Sequence, residues 1–169
     1  TIVEIKDGYS PYWGFSKFDM LANISGALYP VLQHNVPIFQ NFNFKWSYDF
    51  SHPSYYKTLP GHENKTFIDD YERQNFWVTM DVANLFFSEK NHSKFPYFLD
   101  LAFGMSAQNI DGKGAGQHEW FIGLDLNFTK LSFTKSKIEP VIYKYLNYYH
   151  TPAPAVRLSP QNTWYPITY

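Results

Sequence analysis

Hydrophobic and polar positions alternate along this chain with two periods, and the change of period divides it. In "KFDMLANISGALYPVLQ" the positions Phe18, Leu21, Ala22, Leu28, Tyr29 and Leu32 follow helical spacing, with Ser25 the one lapse. Ser16 is placed to cap the start. Asp19, three residues on, completes a shortened capping box whose charge suits the positive end of a helix. Pro30 should kink or end the helix. The spacing predicts a helix from residue 17 to about 33.

From Phe42 the period becomes two. Phe42, Phe44, Trp46, Tyr48 and Phe50 share one face, opposite Asn43, Lys45, Ser47 and Asp49, which predicts a strand. Residues 52–74 read as a long polar loop with a Pro-Gly pair. Residues 75–87 form a second strand candidate, less cleanly alternating, whose end also fits a helical turn. Residues 95–108 and 118–131 alternate well on either side of the glycine-rich 109–117 and predict an antiparallel hairpin. Residues 136–150 return to helical spacing around Pro140. The rest reads as an extended proline-rich stretch and an aromatic close.

These elements predict an α+β fold, mainly antiparallel β, as a single domain over 1–169. It comprises a helical part (1–35), antiparallel strands (38–131) and a helix with an extended C-terminal segment (136–169). The N-terminal helix is expected to lie on an aromatic-rich meander sheet or partial barrel. Small residues on the polar strand faces, Ala102, Gly104, Ser106 and Gly123, suggest a close neighbour. The helix offers itself through the small-xxx-small pair Ala22 and Gly26. Asp19 and Asn23 are then expected to hydrogen-bond inside that contact.

Each alternating strand has one large apolar face and one small or acidic face, with Asp81, Asp100 and Asp125 near strand centres. Two architectures share this pattern. One is a soluble sheet with its polar face in water. The other is an outer-membrane sheet with its apolar face in lipid and its polar face lining an interior. Four good strands fall short of the roughly eight in single-chain barrels, so closure would need residues before Thr1 or a partner chain.

Composition sharpens this picture. Aromatic residues make up 21% of the chain and charged residues 17%, and aromatics favour strands, interfaces and membrane belts. A formal net charge of -1 carries no nucleic-acid footprint. The absence of cysteine excludes disulfides, thiolate metal sites and cysteine nucleophiles. No run approaches the roughly 20 apolar residues of a spanning helix, so any crossing would use strands. The chain opens on Thr1 and the apolar "TIVEI", which reads as the start of a fragment.

Sequence motifs point to no reaction. The six histidines lack metal-ligand spacing, and "GHEN" is only a fragment of such motifs, so neither a metal nor another cofactor is expected. No nucleophile elbow is present. Asp81, Asp100 and Asp125 would make a general-acid candidate if they converge, but the simpler expectation is a polar sheet face neutralised by Lys45, Lys130 or water.

The segment "TIVEIKDGYSPYWGFSKFDMLANISGAL" resembles the YfiM-like family of predicted bacterial lipoproteins of unknown function. Glu4, Gly14, Phe15, Ser16, Asp19, Gly26 and Ala27 match its acidic residue, turn and Gly-aromatic-Ser-x-x-Asp helix ending in Gly-Ala, with Asn23 where others have Asp. "SKFPYFLDLAFGMSAQ", "WFIGLDLNFTKL" and "HTPAPAVRL" resemble the longer Bacteroidota members, which carry a lipid-modified Cys and further helices upstream. The resemblance implies an envelope location at the outer membrane and no assigned chemistry. The resulting expectation is a non-enzymatic envelope protein, an accessory or structural subunit whose partners are outer-membrane lipid or a larger outer-membrane complex. The alternatives are a lipid- or envelope-modifying enzyme using Glu4, Asp19 and Asn23, or a soluble periplasmic lipid-binding β-domain.

Overall fold

The computed structural model describes residues 16–51, 54–60, 66–67, 70–87, 96–110, 116–131 and 138–168. Its chain forms two compact units, one ending at Gln40 and one from Asn41 onward. The fold is α+β and mainly antiparallel β, as the alternation predicts.

In the first unit, α1 spans Lys17–Asn35. The Ser16 hydroxyl accepts from the Asp19 amide at 3.1 Å, so the cap reads as the sequence indicates. The helix continues through Pro30, which forgoes only the hydrogen bond its missing N–H would have made to the Gly26 carbonyl. The chain then turns through a short 3₁₀ segment, where the Tyr29 hydroxyl donates to the Phe39 carbonyl at 3.2 Å. No residue of α1 is buried.

The second unit is an up-and-down meander of six antiparallel strands in sequential order. They are β1 (Phe42–Tyr48), β2 (Gln74–Met80), β3 (Leu99–Gln108), β4 (Gln117–Leu126), β5 (Ala153–Ser159) and β6 (Thr163–Thr168). Two short helices interrupt it: α2 (Val82–Phe86) after β2 and α3 (Glu139–Leu146) before β5. The hairpin expected around the glycine-rich 109–117 is β3–β4, in register from Leu99↔Leu126 to Gln108↔Gln117. The strand-to-helical-turn ambiguity at 75–87 is real, because Asp81 ends β2 and caps α2 through the Asn84 amide at 2.9 Å. Pro140 sits in the first turn of α3, where its missing N–H costs nothing.

The sheet does not close. A parallel bridge, Trp46 to Tyr149, ties the outer edge of β1 to the segment before β5: the Trp46 amide donates to the Tyr148 carbonyl at 2.9 Å, and the His150 amide donates to the Trp46 carbonyl at 3.0 Å.

Most aromatic and aliphatic strand positions point outward, and most polar positions at the strand centres are buried. One outward row crosses all six strands through Phe44, Val78, Phe103, Ile122, Val156 and Trp164. Phe44 keeps 57% of its surface exposed and Trp164 65%. No Asp, Glu, Lys or Arg stands on an outward position of β1–β5.

The small residues of the inner face meet neighbours from within the sheet, which corrects the expectation that they await the helix. A Cβ on Gly104 would collide with the Trp77 indole, and one on Gly123 would press into Ala155 and the Pro154 carbonyl of β5. Trp77, Ala102, Phe121 and Ala155 form the apolar middle of the interior, with Tyr165 against it.

Candidate functional site

Alternation aims Lys45, Thr79, Asp100 and Asp125 into the same end of the interior. The side chains of Lys45 and Asp125 are fully buried and paired with each other. The Lys45 ammonium also donates to the Leu126 carbonyl at 2.9 Å and to Asn147 Oδ1 at 3.0 Å. Asp125 Oδ1 accepts from both the amide and the hydroxyl of Thr151, each at 2.8 Å. Asp100 lies directly across the ladder from Asp125 and is also fully buried. It accepts from Asn127 Nδ2 at 3.1 and 3.3 Å. Asp81, the α2 cap, pairs with Lys130.

The three aspartates therefore gather at one end, but each has partners of its own, and Lys45 and Lys130 are the counter-ions the sequence offered. Burying these charges is tolerable only because they are paired and hydrogen-bonded. At the other end of the interior, Glu119 accepts from the Ser106 hydroxyl at 3.0 Å and pairs with Arg157 Nη1 at 2.5 Å. A polar cavity of about 220 Å³ opens there, lined by Asp49, Glu72, Asn75, Ser106, Glu119 and Arg157 among others.

Asp19 and Asn23 lie at exposed positions of α1. Ala22 is exposed as well, and a Cβ on Gly26 would meet nothing within 4 Å. Glu4 lies outside the described residues. Among the described residues no group of His, Asp and Glu is arranged to hold a metal ion, and no helix is long and apolar enough to cross a membrane.

Sequence reasoning missed His150, a lone histidine with no motif around it. Its ring stacks on the Trp77 indole at 3.8 Å and 10°, and among the described residues neither ring nitrogen makes a hydrogen bond of normal geometry. Burial pulls its pKa down to about 4, with Lys45 adding to this and Asp125 and the Leu124 carbonyl opposing it. Asp100 goes the other way. Burial, helped by the Asp81 charge, pushes its carboxyl up to about 6 against the Asn127 bond and the lysine charges.

These two shifts have opposite signs in stability. Between about pH 4 and 6 folded Asp100 holds a proton that the unfolded chain has lost, so its contribution falls by about 3 kcal/mol as pH rises through that window. Folded His150 refuses a proton that the unfolded chain takes up below about 6.5, so its contribution falls by about 3 kcal/mol as pH drops from there to about 4. The two nearly cancel in the native protein. Relative to it, Asp100→Asn is expected to gain stability from pH 4 to 7 and His150→Phe from pH 7 to 4. Denaturant unfolding across that range checks this, and difference curves flat in pH would refute it.

Comparison with protein-family models, with curated proteins and with solved structures finds no match for this chain.

Proposed function

We propose that this chain is a non-enzymatic, outer-membrane-associated envelope protein, an accessory or structural subunit that sets its apolar sheet face against membrane lipid. One observation carries the reading: an uncharged, largely apolar face runs unbroken across six strands in the open, while the charges are paired in the interior. In water this arrangement wastes apolar burial. Against hydrocarbon it is the favourable one, because lipid accepts the aromatic row and leaves ion pairs undisturbed in a protein interior.

The outward apolar stretch of β3, Leu99 to Met105, runs about 20 Å at the usual strand rise, comparable with the apolar band of about 25 Å on membrane barrels. The unclosed sheet argues for a subunit rather than a free-standing pore, since open strand edges are not tolerated in hydrocarbon. The YfiM-like resemblance supports the same compartment. A lipid-modifying enzyme has less support, because Asp19 and Asn23 are exposed on a helix and the buried aspartates are committed to internal partners.

Fractionation of the full-length native protein tests this. It should remain in the outer-membrane fraction through a carbonate wash and bring a stoichiometric partner on affinity isolation in mild detergent. Phe103→Lys, at the middle of the apolar row, is expected to weaken membrane retention more than tenfold, since a cation on a lipid face costs about 2–4 kcal/mol at the bilayer midplane. A native protein that washes off and elutes alone would overturn the proposal.

A further inference from the structure

Beside the bridge between β1 and Tyr149 lies an apolar cleft of about 400 Å³, lined by Trp46, Tyr48, Phe50, Phe67, Tyr149 and His150. Its size is that of small-molecule sites, and aromatic walls with a few polar groups are the usual lining of one. The walls are built from ring-on-ring contacts: Tyr48 meets Phe50 at 4.9 Å, and Trp46 meets Tyr149 at 5.9 Å and Phe67 at 6.5 Å. Ser47 also lines it but already accepts from the Trp77 N–H, and the Tyr48 hydroxyl donates to Asp70; the remaining polar ring is His150, 5% exposed.

A neutral imidazole has one donor and one acceptor nitrogen, and leaving both unused while buried costs free energy. The Leu124 carbonyl is near enough to act on the ring and suits the N–H, which leaves the other nitrogen as an acceptor in need of an O–H donor. We propose that this cleft binds a linear amphiphile by its polar end, with a hydroxyl or un-ionised carboxyl group donating to His150 and the hydrocarbon chain running over the Trp46, Tyr48 and Phe67 rings. This site is separate from the outward row of the sheet, so either proposal can fail while the other stands.

The test uses the full chain in a fluorinated surfactant, titrated with 1-octanol and, separately, with its methyl ether, which keeps the chain but cannot donate. Intrinsic fluorescence, to which Trp46 contributes with the chain's four other tryptophans, follows the titration, and the His150 ring resonances report the contact itself. The alcohol is expected to bind about tenfold more tightly than the ether, the worth of one buried hydrogen bond. His150→Phe, which retains the aromatic stack on Trp77, should abolish that preference. Equal affinity of the two probes for the native protein would overturn the proposal whether or not the variant folds. So would a preference that survives in His150→Phe, or no binding of either probe.

Discussion

Replacing Lys45 with Met is expected to cost about 3–5 kcal/mol of unfolding free energy, far more than a typical surface charge. The ammonium is fully buried, and Asp125 beside it is equally buried. Without the lysine, Asp125 keeps its two bonds from Thr151 but stands across the ladder from Asp100, two carboxylates facing each other with no cation between them. The Leu126 carbonyl also loses its donor. Coupling to a second substitution separates charge from packing. In Lys45→Met with Asp125→Asn, the amide oxygen still accepts from Thr151 and Asp100 no longer faces a second carboxylate, so most of the loss should return. Denaturant unfolding of the detergent-held protein, followed by tryptophan fluorescence, measures both. A cost below about 1 kcal/mol for the single variant would mean that water reaches the Lys45–Asp125 pair, and its full burial would have to be abandoned.

Much of this interior is written in the parity of the strands. Strict alternation puts Lys45 on the inner parity of β1, Asp100 on that of β3, and Glu119 and Asp125 on that of β4, and each is buried there. Which parity turns inward is not legible, because alternation looks the same from either face. One signal was available. A face meant for water gains nothing from Ala102, Gly104 and Gly123, whereas an inner face that must admit an indole and the close approach of the neighbouring strand needs small residues.

The last two strands were harder to see. Prolines at 152, 154 and 160 make β5 read as an extended linker. Pro154 is accommodated where the β5–β6 register shifts between Ala153 and Ala155, a place where a missing N–H is tolerated. The pairing of Lys45 with Asp125 joins residues 80 positions apart and depends on how far the meander curls, which no local pattern encodes. His150 owes its place to the bridge at Trp46, again a tertiary fact. Asp19 and Asn23 show the limit from the other side: a polar residue at helical spacing is compatible with both a hydrogen-bonded contact and an exposed position, and the spacing does not choose between them.

Trp77→Ala is expected to be as costly as the loss of Lys45, about 3–5 kcal/mol. Trp77 is 1% exposed and is the largest apolar side chain of the interior. Its N–H donates to the Ser47 hydroxyl at 2.8 Å, one ring face carries His150, and Phe121 lies 5.8 Å away. The indole lies over Gly104, where no other residue leaves room, so Gly104→Ala is expected to cost about 1–3 kcal/mol by overpacking. The two substitutions should be strongly coupled. With the indole gone, the methyl at position 104 partly fills the vacated space, so Gly104→Ala in the Trp77→Ala background should be neutral or stabilising. A double-mutant cycle by denaturant unfolding reads this coupling, and additive costs would show that Trp77 does not rest on Gly104. The consequence reaches the outer face, because Val78 and Phe103, neighbours in the apolar row, flank Trp77 and Gly104 in their strands. A Trp77→Ala protein that still folds is therefore expected to be retained less well by membranes, although no outward residue has changed.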